Sequence, residues 1–269
     1  MNEINIYRFD GNIKVFSSGE KVSLPKDYEM GMEKHWDSEM SKRKNYFRGD
    51  IFTIQSITQT SECIKISVDL SDIAHVLYTM KRNKFSNDDC RIFYTSALIE
   101  TSDGKFVIGE MHGLSAYPIQ FIGGGIDKDD LNGNAIDIEH NIRKEISEEI
   151  GIDTYDYSLV KSLKPYYLKD GGKTNFVSAI FKLDLNISEY ELVQRFNDHN
   201  KCLMYKGLTP EINSLIFVSN NKESVARFLV NYSHDKDENL IATLKAAVGL
   251  YPVKEFDLNT INKGEYYVT

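Results

Sequence analysis

The segment KEISEEIGI, Lys144 to Ile152, crowds three glutamates into five positions at the end of what reads as an amphipathic helix. Stepping about 100° per residue, Ile138, Ile142, Ile146 and Ile150 recur at every fourth position and form a stripe suited to burial. Glu145, Glu148 and Glu149 are spaced i, i+3, i+4 on the neighbouring face. The acids therefore border the core instead of pointing straight into water, and the pattern predicts a helix over Asp137–Ile150 that stops at Gly151.

Like charges at these spacings cost an isolated helix about 0.2–0.5 kcal/mol per pair. They also occupy the last turns, where the helix dipole disfavours each anion by about 0.3–1 kcal/mol. The nearest cation, Lys144, precedes Glu148 by four residues, the weaker orientation for such a pair. Two readings follow: a solvated acidic face, as most such clusters are, or a set of carboxylates gathered for a hard divalent cation such as Mg²⁺.

On the N-terminal side, YPIQFIGGG (residues 117–125) predicts a short strand entering three glycines, with the polar stretch IDKDDLNGN between them and the helix. RIFYTSALIE and KFVIGEM, joined by TSDG, predict a hairpin before that, and Lys81–Asp89 reads as a linker. Still earlier, IFTIQSI and CIKISVDL predict another hairpin, followed by a short helix capped by Ser71. Residues 1–48 hold a strand-like start at Ile4–Phe9 and a charged stretch around Trp36, with no clear element pattern. On the C-terminal side, SLVKSLKPYYL, NFVSAIFKLDL and INSLIFVS predict strands, while SEYELVQRFND, KESVARFLVNY and DENLIATLKAAV predict helices. This interleaving lacks the regular period of a doubly wound sheet. It predicts an α/β (α+β) architecture with a mixed sheet between helices, divided into residues 1–88 and 89–269.

The 269 residues carry 41% hydrophobic content, enough for a sizeable core, and 40 acidic against 32 basic side chains. A net charge of −8 gives no electrostatic reason to bind nucleic acid or an anionic membrane. No stretch approaches the roughly 18 apolar residues of a membrane span. The three dispersed cysteines suggest neither a disulfide framework nor a zinc site, and a reducing cytoplasm fits them. The six histidines show no metal-ligand spacing.

The acidic helix and the glycines before it together resemble the Nudix hydrolase signature, G-x5-E-x7-R-E-U-x-E-E-x-G-U with U a bulky aliphatic. Glu145, Ile146, Glu148, Glu149, Gly151 and Ile152 match its second half. Lys144 stands where the family has arginine, Ile136 where it has the upstream glutamate and Asp130 where it has the leading glycine. Lysine keeps the charge but loses the planar fork that grips a carboxylate bidentately. The segment YFRGDIFTIQSI (residues 46–57) is similar to the N-terminal domain of a two-domain Nudix branch acting on UDP-sugars, which also has a long insertion before its acidic helix.

The resemblance implies a Nudix-type α/β/α sandwich, preceded by a small N-terminal α+β domain. It implies Mg²⁺- or Mn²⁺-dependent hydrolysis of a nucleoside diphosphate linked to another group, a nucleotide sugar among the options, with release of a nucleoside monophosphate. Glu148 and Glu149 would be the principal metal ligands, Glu145 a further ligand or the base, and the Gly124 carbonyl an additional ligand. Lys144 would orient a glutamate of the triad. Glu211, just before a late strand, fits the extra loop carboxylate of several branches, its plain alternative being a solvated side chain. Tyr166 and Tyr167 could stack on a base or simply pack. Many members dimerise, so a homodimer stays open. The departures at Lys144 and Ile136 keep a second class in view, a ligand-sensing module without hydrolysis.

Overall fold

The computed structural model describes residues 2–8, 12–42, 47–59, 63–82, 86–112, 118–232 and 237–255. The chain starts with β1 (Asn2–Arg8), β2 (Asn12–Lys21) and α1 (Lys26–Met40). The first expected hairpin is β3 (Asp50–Gln59) and β4 (Cys63–Asp72), antiparallel, its residues 60–62 lying outside the described ones. α2 (Ile73–Arg82) follows directly. Its start is capped by Asp72 and not by Ser71: Asp72 Oδ1 accepts the His75 N–H at 3.2 Å, while the Ser71 hydroxyl meets His75 Nδ1 at 2.7 Å. Of the stretch Lys81–Asp89, residues 83–85 lie outside the described ones; Asp89 accepts from Tyr28 and Arg82, which ties its end to α1 and α2.

Next come β5 (Phe93–Glu100), β6 (Lys105–Met111) and β7 (Ile119–Gln120). The polar stretch before the acidic helix is ordered into one turn of 3-10 helix (Lys128–Asp130) and a tiny hairpin, β8 (Leu131–Asn132) with β9 (Ala135–Ile136). The acidic helix is α3 (Ile138–Ile150). β10 (Val160–Gly172), β11 (Val177–Leu185), α4 (Glu189–Tyr205), β12 (Ile212–Ser219), α5 (Lys222–Asn231), α6 (Glu238–Ala247) and β13 (Val253–Glu255) complete the chain.

The large sheet has eight strands, ordered β12-β6-β5-β11-β10-β1-β13 with β7 beside β6. It is mixed: β5–β11 and β1–β13 are parallel, the other pairs antiparallel. α3 and α4 cover one face of it and α5 and α6 the other, as an α/β/α sandwich requires. The small sheet has five strands, β3-β4-β2-β9-β8. Strands cross between the two: β1 joins the large sheet although it precedes β2, and β9 joins the small sheet through Val15↔Ile136 and Phe16↔Ala135. The loop before α3 is thus an edge extension of a sheet built mainly from the first 72 residues.

α3 forms as its pattern demands. Asp137 caps it by accepting the Glu139 and His140 N–H groups at 3.1 and 2.9 Å. Ile142, Ile146 and Ile150 have no exposed surface, Ile138 has 8%, and all four enter one core shared with both sheets. Each buried isoleucine contributes about 1.5–3 kcal/mol. That exceeds the repulsion among the glutamates, so the helix folds despite them.

Candidate active site

The segment after β7 runs antiparallel against β5, bridging Ala97 to Ile122 and Tyr94 to Gly125. A side chain at Gly123, whose φ is +142°, would put its Cβ 2.3 Å from the Thr95 carbonyl oxygen. Only glycine lets the loop lie this close to the strand. There its N–H donates to Glu149 Oε2 at 3.1 Å. At Gly124 a Cβ would fall 2.6 Å from the carboxyl carbon of Glu145, so the Glu145 head group lies directly on the glycine. The loop does more than bend the chain: the missing side chains make the room in which two carboxylates of α3 sit.

The Gly124 carbonyl accepts the Thr95 N–H at 3.0 Å and so faces β5. To serve as a metal ligand it would have to share that bond. The Gly125 carbonyl accepts from Asn141 Nδ2 at 3.2 Å.

Burial pushes the Glu149 carboxyl up to about 8, with Glu145, Glu211 and Glu148 adding to the rise and the Gly123 N–H opposing it. Burial likewise pushes Glu145 up to about 7; the Lys144 charge opposes, while Glu148, Glu211 and Asp130 add. The structure therefore brings four predicted residues, Glu145, Glu148, Glu149 and Glu211, into one electrostatic neighbourhood. Glu211 arrives at the head of β12, where its carbonyl accepts the His112 N–H at 2.7 Å. Glu148 and Glu211 are exposed, Glu149 is 6% exposed, and Glu145 is half-buried.

Lys144 is placed differently from the expectation that it orients a glutamate of the triad. Its Nζ lies 3.0 Å from Asp127 Oδ2 and 3.2 Å from Asp130 Oδ1, both from the polar loop. Burial works to lower its pKa, but these two carboxylates outweigh it and hold the ammonium above its ordinary value. The contact to Asp130 Oδ1 is an ion pair without hydrogen-bond alignment, since that oxygen is buried with no hydrogen bond. Asp130 Oδ2 accepts from the Asp127 N–H and from Asn141 Nδ2, each at 2.9 Å, and Asn141 Oδ1 accepts from the Thr95 hydroxyl. A buried polar chain thus runs from β5 through α3 to the loop.

Asp127, Thr95 and Asn141 were not singled out by sequence reasoning, and Asp130 was noted only as standing where the resembled signature has its leading glycine. Asn141 alone offered a signal, as an amide beside the apolar stripe, and it is fully buried. His199 of α4 is another addition: its Nε2 meets the Glu148 carbonyl at 2.7 Å, joining α4 to the end of α3. Tyr167 is 2% exposed and packs against Tyr166 at a centroid distance of 4.2 Å, so this pair serves the core on the α5–α6 face. Of the six histidines, His234 lies outside the described residues.

The donor set suits a hard divalent cation. It is all oxygen, and Glu149 is buried and Glu145 half-buried beside like charges, with only the Lys144 charge opposing at Glu145, so a positive charge would be most welcome there. Among the described residues no three acidic, histidine or cysteine side chains stand as a closed cage, so the exposed Glu148 would have to turn inward to complete one. No helix among the described residues is long and apolar enough to cross a membrane.

Neither a family model nor a curated protein matches the sequence. Among solved structures the chain is similar to Nudix hydrolases. A Nudix hydrolase from Nitrosomonas europaea matches 66% of this chain and 97% of its own at 12% identity and a TM-score of 0.37. A pyrophosphohydrolase from Bacillus subtilis matches 64% and 84% at 14% identity and a TM-score of 0.35. A bifunctional NMN adenylyltransferase/ADP-ribose pyrophosphatase from Francisella tularensis, in complex with AMP and a Mn ion, matches 65% of this chain and 47% of its own at 14% identity and a TM-score of 0.37. At such scores the likeness carries no argument about activity, and the functional case rests on the residues of the site.

Proposed function

We propose that the protein is a divalent-metal-dependent pyrophosphohydrolase that cleaves a nucleoside diphosphate linked to another moiety, a nucleotide sugar being one option, and releases a nucleoside monophosphate. The observation that carries this reading is the pair Glu145 and Glu149, pressed by burial against Gly124 and Gly123 with Glu148 and Glu211 beside them. Glu148 and Glu149 would hold Mg²⁺ or Mn²⁺, with Glu145 as a further ligand or as the base. When bound, such an ion neutralises phosphate oxygens and lowers the pKa of the attacking water.

The chain's own residues supply the rest. Glu145, whose proton affinity burial raises toward neutrality, or the neighbouring Glu211 would take the proton from the water. Gly123 and Gly124 keep the loop low enough for both carboxylates to face one space. Lys144 keeps a positive charge next to Glu145 and thereby favours its ionised form. The partner is a small molecule in this reading, and neither nucleic acid nor a membrane is invoked. A homodimer and a cytoplasmic location are compatible with it.

A second reading, a nucleotide-sensing module, is favoured by Lys144, which grips the loop instead of a triad glutamate. One experiment separates the two. The protein is incubated with Mg²⁺ or Mn²⁺ and a panel of nucleoside diphosphate derivatives, and released monophosphate is measured. Glu148→Gln should lower the rate by about a hundredfold or more while leaving the fold intact. If no panel member is cleaved and one raises the melting temperature, the sensing reading stands and hydrolysis is refuted.

A further inference from the structure

Lys144 and Glu148 stand four residues apart on one face of α3 and line one shallow cleft with His140, Ser147 and Tyr155. At this spacing the ammonium can reach the Glu148 carboxylate. It is instead drawn to Asp127 Oδ2 at 3.0 Å and Asp130 Oδ1 at 3.2 Å. The Asp130 side chain has no exposed surface, and its Oδ2 is already occupied by the Asp127 N–H and Asn141 Nδ2. Among the described residues, Lys144 is the cation that meets the remaining oxygen. A carboxylate buried this completely is strongly unfavourable without a counter-charge, so Asp130 holds the lysine firmly.

We propose that Asp130, assisted by Asp127, is a positioning residue that keeps Lys144 off Glu148 and so leaves the Glu148 carboxylate open for a divalent ion. The inference rests on the metal-dependent reading above. It also gives the loop before α3 a purpose: pinned to the small sheet by the β2–β9 pairing, the loop carries the acids that restrain the lysine. The first part of the chain would then support the metal site without contributing a ligand to it.

The test is Mn²⁺ affinity, followed by the electron paramagnetic resonance signal of the free ion, in the full-length protein without substrate. Asp130→Asn keeps an acceptor for the Asp127 and Asn141 N–H bonds and turns an uncharged amide NH2, which cannot accept from an ammonium, toward Lys144. It should weaken Mn²⁺ binding about tenfold, and a second substitution, Lys144→Met, should restore most of the loss. A crystal structure of the single variant should show Lys144 Nζ against Glu148. Asp127→Asn, at a half-exposed side chain, should shift affinity in the same direction by less, and it serves if Asp130→Asn fails to fold. An unchanged affinity in both single variants overturns the inference, as does a loss that Lys144→Met fails to relieve. A wild-type protein that binds no Mn²⁺ overturns the functional reading and this inference with it. Normal wild-type binding with unaffected variants overturns the inference alone.

Discussion

On the α6 face of the large sheet, Lys169 is 1% exposed, and its ammonium donates to the carbonyls of Gly171 at 2.7 Å and Phe176 at 3.2 Å; burial pulls its pKa down, and Glu238 and Asp237 oppose that fall. On the α3 face, Glu149 is 6% exposed, and its charged neighbours are three more glutamates. The two regions bury ionisable groups to a similar depth and resolve them differently. Around Lys169 neighbouring charges are of opposite sign: Glu238 accepts the Lys173 N–H at 2.7 Å, and burial raises the Asp237 carboxyl while the charge of Lys169 opposes the rise. This arrangement locks the β10–β11 turn to the start of α6. Around Glu149 the Gly123 N–H answers that carboxylate, while Glu145, Glu211 and Glu148 add like charge. A sequence that satisfies local rules on one face and breaks them on the other points to the second face for chemistry.

That contrast is broken most sharply by neutralising each region in turn. Glu149→Gln should retain the acceptor for Gly123 N–H while losing a proposed ligand, so hydrolysis should fall by about 10²–10⁴-fold in a monophosphate-release assay. Its stability should rise, by about 1 kcal/mol, because a buried like charge is removed. The gain depends on pH with a definite sign. In the metal-free wild type, Glu145 and Glu149 hold protons more tightly when folded, their pKa values standing at about 7 and about 8 against an ordinary 4.5. The resulting stabilisation is complete below about pH 4.5 and is lost as pH rises through those values. Urea unfolding of the wild type should therefore weaken toward pH 8, less so in Glu149→Gln. A variant that is both inactive and destabilised at pH 8 would make Glu149 a structural residue.

Lys169→Met, on the opposite face, should behave inversely: it leaves two buried carbonyls without their donor and two carboxylates without their cation. A loss of about 3 kcal/mol in unfolding free energy is expected. Catalytic rate in the folded fraction should be unchanged, and a selective loss of rate would show that the α6 face contributes to the site.

The legibility of this chain in its sequence follows the same divide between local and distant causes. α3 announced itself because cap, apolar stripe and terminal glycine are all written within one short segment, Asp137 to Gly151. The strand pairs β3–β4 and β10–β11 are likewise local. α1 was missed because only Tyr28 and Met32 of its residues are buried, its N-terminus has Pro25 and no side-chain cap, and Gly31 interrupts it. That glycine answers to a residue far along the chain, since a Cβ there would meet the Tyr78 hydroxyl at 2.1 Å. At the site, spacing alone placed Glu145, Glu148 and Glu149 on one face of α3 at the edge of the core, and the burial of Glu149 there agrees with it. The restraint of Lys144 by Asp127 and Asp130 was not, because the polar loop acquires its shape only by joining a sheet from the other end of the molecule.

The smallest expected effect lies where the acidic helix ends, and it asks how far the site's tolerance of strain extends. Gly151 has a φ of +69°, the left-handed conformation that closes α3, and its N–H bonds the Ser147 carbonyl at 3.1 Å. Left-handed geometry alone makes Gly151→Ala unfavourable by about 1 kcal/mol. A Cβ would also stand 2.6 Å from the His199 ring, whose Nε2 meets the Glu148 carbonyl. These two causes separate experimentally. Asparagine tolerates the left-handed region, so Gly151→Asn should recover most of the stability lost in Gly151→Ala if backbone conformation is the whole reason for glycine. If contact with α4 matters as much, Gly151→Asn should remain as unstable as the alanine variant, and His199→Ala should relieve both. The second outcome is expected, because a ring 2.6 Å from the new atom has to move whichever side chain is added. Recovery by asparagine alone would reduce His199 to a bystander at the end of the helix.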